Sequence, residues 1–211
     1  MAGAGATTLI PARPSLARLR EAAANCRACE LWRSGTQTVF GEGAASARLM
    51  FVGEQPGDRE DRAGVPFVGP AGGVLDRAMD EAGLVRSDAY VTNVVKHFKW
   101  TQGRGKRRLH QRPDSAEIGA CRPWLDAELA IVQPAALVCL GATAAKALLG
   151  SKIRVTRDRG RLLEADYADI VMVTVHPSSI LRIKEEAERH EAYLAFVRDL
   201  RAVARRVGSA R

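Results

Sequence analysis

Residues 134–150 read "PAALVCLGATAAKALLG". From Ala135 to Leu140 every side chain is apolar, with no polar residue in alternation. Such a run, followed at once by glycine and then by an alanine-rich stretch closing at Gly150, is a strand buried on both faces that feeds a short helix. The same grammar repeats outward. "ARLMFVGE" (47–54), "DAYVTNVV" (88–95) and "DIVMVTV" (169–175) are three further apolar runs. Between the first two, "GPAGGVLDRAMDEAG" (69–83) reads as a helix opened by Pro70 and closed by Gly83. "SLARLREAAANC" (15–26) has helical spacing with Ser15 as its cap, and residues from about Ile183 to Val207 form a charged helix. Residues 114–132 are helical in pattern, and Pro123 within them predicts a kink or a helix start. Strands alternating with helices predict an α/β fold: a three-layer α/β/α sandwich around a central, mainly parallel four-stranded sheet. Residues 1–14 read as a flexible segment, and 15–207 as a single domain.

The chain has 211 residues, 46% apolar, enough for one core and too apolar for a disordered protein. The formal net charge is +8, which points to a polyanionic partner, nucleic acid first. No apolar run approaches the ~20 residues of a membrane span. The N-terminus lacks a basic start followed by an apolar stretch, so a cytoplasmic, monomeric protein without membrane contact is expected. Its four cysteines are then not structural disulfides. Cys26 and Cys29, two residues apart, can face one metal ion or cluster, whereas Cys139 lies mid-strand and reads as core.

In parallel α/β sheets ligands sit beyond the carboxyl ends of the strands. Here those ends are "GEQPG" (53–57), Asn93 with the polar loop that follows, "GATAAK" (141–146) and "HPSS" (176–179). All but "GATAAK" offer groups able to recognise or react. The polar loop holds "QGRGKRRLHQR" (102–112), a basic stretch with one histidine, His110. Charge and spacing alone make it a solvated phosphate-binding loop.

Taken together, "GEQPGDREDRAGVPFVGPAGGVLD" (53–76), "YVTNVVKH" (90–97) and "VHPSSILR" (175–182) resemble the family 4 uracil-DNA glycosylases, over about Cys26 to Arg182. Three departures from that pattern resemble the UdgX-type branch of the uracil-DNA glycosylase superfamily: Gln55 in place of a small residue, His97 in place of a cysteine, and the inserted loop with "KRRLH". The resemblance implies excision of uracil from DNA, single-stranded DNA included, followed by a covalent adduct between His110 and the deoxyribose C1′. It implies a [4Fe-4S] cluster on Cys26, Cys29, His97 and Cys121, with zinc as the alternative that spacing alone allows. Asn93 would read the base, Phe67 would stack on it, and Gly53 would admit the sugar. His176 would donate to uracil O2 as the base leaves. Glu54 and Gln55 flank the reacting centre; Glu54 can orient the imidazole of His110, while the amide of Gln55 is too weakly basic to activate water. Lys106, Arg107, Arg108 and Arg112 would hold phosphates. Ser178 would touch phosphate or cap the next helix. Two other functions fit the residues less closely: an ordinary turnover glycosylase, and a non-catalytic, metal-stabilised nucleic-acid-binding module.

Overall fold

The computed structural model describes residues 5–208. In chain order it contains α1 (Leu16–Ala23), β1 (Leu49–Gly53), α2 (Asp58–Ala63), α3 (Pro70–Glu81), β2 (Ala89–Asn93), β3 (Trp100–Gln102), β4 (Arg108–His110) and α4 (Ser115–Val132). There follow β5 (Ala136–Leu140), α5 (Ala142–Leu149), α6 (Val155–Asp158), β6 (Leu162–Ala165), β7 (Ala168–Thr174), α7 (Pro177–Leu181) and α8 (Glu186–Gly208). The main sheet runs β2-β1-β5-β7-β6. All its pairs are parallel except β6 with β7.

The alternation of side chains explains the layers. Along β1, Met50 and Val52 enter a core with Leu19 of α1, Leu125 and Leu129 of α4 and Leu148 of α5. Leu49 and Phe51 point the other way, to Leu75 and Met79 of α3 and Phe196 and Leu200 of α8. All five residues of β1 are buried, as a strand covered on both faces must be. Each large apolar side chain so buried contributes about 1.5–3 kcal/mol.

The sheet has five strands where the sequence predicted four. The extra one, β6, is an antiparallel edge whose residues are half-buried or exposed, so it shows no apolar run. The polar loop after β2 contains a second small sheet, the β3–β4 hairpin. Pro123 does not start its helix: α4 begins at the Asp114 cap, closed by Glu117 into a capping box, and runs through Pro123 to Val132. Of the segment read as flexible, residues 1–4 lie outside the described residues. Ala6 is fully buried and its N–H donates to Ala120 O at 2.9 Å, so the segment is anchored there. Among the described residues no helix is long and apolar enough to cross a membrane.

Candidate active site

The ends of β1, β2 and β7 converge on one recess. Gly53 and Asn93 are register partners across the β1–β2 ladder, which puts the Asn93 side chain over Gly53. A Cβ at Gly53 would lie 2.4 Å from Asn93 Oδ1 and 2.6 Å from Phe67 Cζ, so glycine is the residue that leaves this recess open. Asn93 is 2% exposed, and its Oδ1 has no hydrogen-bond partner. A buried acceptor left unpaired is costly and rare, and it marks a place where a donor is expected. Below it, the buried Lys96 ammonium donates to Asn93 O, Thr92 Oγ1 and Glu128 Oε2, which braces the turn that ends β2.

Phe67 forms one wall. Its backbone is left-handed, at φ 56°, a strained state for an aromatic residue. Gly72 permits it: a Cβ there would lie 1.7 Å from Phe67 O. The Phe67 and His176 rings lie 5.9 Å apart. His176 caps α7, its Nδ1 accepting from Ser178 N–H at 3.2 Å. Nδ1 is thereby the unprotonated nitrogen, and Nε2 carries the hydrogen. Burial pulls the His176 pKa down to about 4, with the Arg182 charge adding to it, so the ring is a neutral donor near pH 7. The Ser178 hydroxyl lies 2.9 Å from the same Nδ1 and serves this cap.

Over the recess stands the hairpin. Gln55, almost fully buried, holds its base. Gln55 Oε1 accepts from Lys99 N–H at 3.1 Å, while Nε2 faces Gln111 O at 2.8 Å and Lys99 O at 3.3 Å. These backbone partners fix which end of the amide donates. Nε2 also lies 2.9 Å from His110 Nε2; an amide nitrogen has no lone pair to offer, so this contact calls for the tautomer with the proton on Nδ1, one amide N–H being shared between the ring and Lys99 O. The sequence assigns the orienting task to Glu54; in the structure Gln55 is the nearer of the two to the ring. Glu54 stands beside the ring, Oε1 at 3.6 Å from His110 Nε2. Burial lowers the His110 pKa, Glu54 opposing and Arg182 assisting, and the imidazoles of His110 and His176 are near enough to influence each other.

Residues 40–201 match the Uracil DNA glycosylase superfamily. The chain belongs to the uracil-DNA glycosylase superfamily. It is 37% identical to the type-4 uracil-DNA glycosylase of Sulfurisphaera tokodaii, across 79% of this chain and 76% of that one. It is 39% identical to the type-4 enzyme of Thermotoga maritima (74% and 78%) and 34% identical to that of Pyrobaculum aerophilum (79% and 85%). The parallel-sheet sandwich is thus that of a uracil-DNA glycosylase superfamily member.

Two groups of this superfamily member were not found from sequence. Thr143, in the "GATAAK" end set aside as featureless, donates its hydroxyl to Glu54 Oε2 and accepts from Arg112 Nε at 3.2 Å. Its signal was position: it lies two residues past Gly141, at a strand's carboxyl end. The other group is Asp58 with Asp61. Arg108, expected on phosphates, turns inward instead: its guanidinium pairs with Asp58 and, at 2.6 Å, with the fully buried Asp61. It also stacks on Phe98 and Trp100 at 5.3 and 5.4 Å. Those carboxylates hold its proton more tightly against the opposing effect of burial. Lys106 and Arg107 are exposed at the hairpin tip, where Gly105 takes φ 63°.

On the opposite side of the β2 turn lie three thiols. Trp124 Nε1 donates to Cys26 Sγ at 3.4 Å and Lys96 N–H to Cys121 Sγ at 3.3 Å. Burial pushes the Cys121 thiol up to about 12, and Cys26 and Cys29 are close enough to add to that. His97, next in sequence to Lys96, is buried, with Nε2 at 3.0 Å from Thr38 Oγ1, and burial lowers its pKa. Among the described residues no three His, Cys, Asp or Glu side chains are grouped to hold a single metal ion. The donor chemistry is nonetheless soft, with N–H groups aimed at the sulfurs of Cys26 and Cys121. Cys139, as expected, is fully buried in β5.

Proposed function

We propose that the chain excises uracil from DNA and ends as a covalent adduct through His110. The observation that carries the reading is Asn93 Oδ1. Uracil presents an N3–H donor to that orphaned acceptor and O4 to the amide N–H, whereas cytosine would oppose lone pair to lone pair. Phe67 supplies a face for the flipped ring. As the C1′–N1 bond breaks, its electron pair leaves on the base, and the His176 Nε2–H would stabilise the charge at O2. Glu54 would stabilise the electron-poor C1′.

The lone pair that Gln55 keeps on His110 Nε2 can then form a C1′–N bond. The Nδ1 proton passes to solvent, and solvent protonates the departed base. A neutral imidazole is a poor leaving group from an anomeric carbon, so the product persists. Cys26, Cys29, Cys121 and His97 would hold the iron–sulfur cluster, which would cross-link the N-terminal segment to the turn after β2. Iron and sulfide analysis, against zinc, tests that assignment.

A single-stranded oligonucleotide with one uracil, run on a denaturing gel, tests the function. The expected result is a persistent protein–DNA band, absent for His110→Ser. Free abasic DNA released over many turnovers by the unaltered protein would overturn the covalent step. No uracil release at all would overturn the reading of Asn93.

A further inference from the structure

A second basic surface borders the recess, on the side away from the hairpin. Residues 151–161, "SKIRVTRDRGR", hold Lys152, Arg154, Arg157, Arg159 and Arg161 against one acid, Asp158. Topology brings them to the recess end of the sheet. Gly160 N–H donates to Val173 O at 2.9 Å, and β6 starts with Leu162 opposite Met172, so the segment passes beside the last turn of chain before His176. The hairpin is held by Gln55 at the end of β1; this segment lies beyond β7. Three strand spacings separate them, about 14 Å.

The surface is organised. Asp158, 4% exposed, accepts from Arg154 N–H and from both Nε and Nη2 of Arg157, and Arg161 Nη1 lies 3.6 Å away. Those bonds, the Arg157 side chain first, hold its carboxyl down to about 2. Arg159 is spent internally on Asp199, which also accepts from Thr174 Oγ1. Gly160, at φ 72°, has no room for a Cβ beside that carboxylate. The loop is thus pinned, while the Arg157 and Arg161 side chains remain 65% exposed. The same bonds that satisfy the buried acid leave the outer faces of these arginines open to solvent.

We propose that Lys152, Arg154, Arg157 and Arg161 hold the phosphates of the single DNA strand where it leaves the recess on the β6 side. The proposal rests on DNA being the substrate. The test uses Arg157→Ala/Arg161→Ala with two single strands, one long and one trimmed to a couple of nucleotides on either side of the uracil. Binding of a long, uracil-free strand should weaken about tenfold at low salt, and the slope of log K against log salt should become shallower by about 1.4, at about 0.7 per phosphate lost. The trimmed strand should react at the unaltered rate, and Arg157→Lys/Arg161→Lys should keep the original slope. An unchanged slope, or an equal loss on both strands, overturns the proposal. Failure of the excision reading appears separately, as no uracil release by the unaltered protein while the salt slope still changes.

Discussion

The recess and the hairpin above it are built by different physics. The floor of the recess sits on the ends of β1 and β2, whose every residue is buried, so Gly53 and Asn93 are placed by a hydrogen-bonded ladder and two cores. The hairpin has strands of three residues, mostly exposed, and its position depends on a few polar contacts. Gln55 grips its base, Arg108 ties it to Asp58 and Asp61, and Arg112 meets Thr143. The half built on the strand ladder should therefore tolerate little and move little. The half that carries His110 should be separable from it.

Arg108→Ala tests that separation most severely. It strands the buried Asp61 carboxylate with only the donors of Thr36, and breaking a buried pair costs about 3–5 kcal/mol. Urea melts should show the loss, and hydrogen exchange should show hairpin amides opening well before those of β1. Equal loosening of both regions would erase the distinction.

Acid probes the recess next. The folded-state pKa of His176 is about 4, below its ordinary 6.5, so the unfolded chain takes up a proton that the folded chain refuses. Its contribution is complete above pH 6.5 and is lost as pH falls toward 4, by about 3 kcal/mol. His176→Gln should flatten that part of the stability profile. Gly53→Ala narrows the recess itself. With a Cβ 2.4 Å from Asn93 Oδ1, uracil release should fall about a hundredfold, and the crowding should cost about 1–3 kcal/mol of stability. The smallest effect is expected at Thr143→Val. Loss of one charge-assisted hydrogen bond to Glu54 should lower adduct formation about tenfold, and Thr143→Ser should restore it. A valine variant at full rate would leave Glu54 positioned by something other than Thr143.

What the sequence disclosed follows the same division. Four strands and the long helices announce themselves through apolar periodicity, because burial on two faces leaves no choice of residue type. Asn93 and His176 stand at strand ends where a ligand is expected, and the structure brings both to one recess. The hairpin left no such trace. Its arms are too short for alternation to be visible, and its anchors come from positions far off in the chain, as Arg108 and Asp61 do. Arg108 reads as a phosphate ligand because composition reports charge, not the direction in which a side chain turns. β6 escaped because an edge strand with Glu164 and half-buried neighbours looks like loop.

Gln55 binds the chain where it enters the hairpin, at Lys99, and where it leaves, at Gln111. A clamp that closes on both stems of a loop makes the tip exchangeable: inserts of other lengths or compositions would begin and finish at the same two points. New chemistry could be spliced in above the base-reading floor without redrawing the floor, much as a tool head is changed on a fixed shaft.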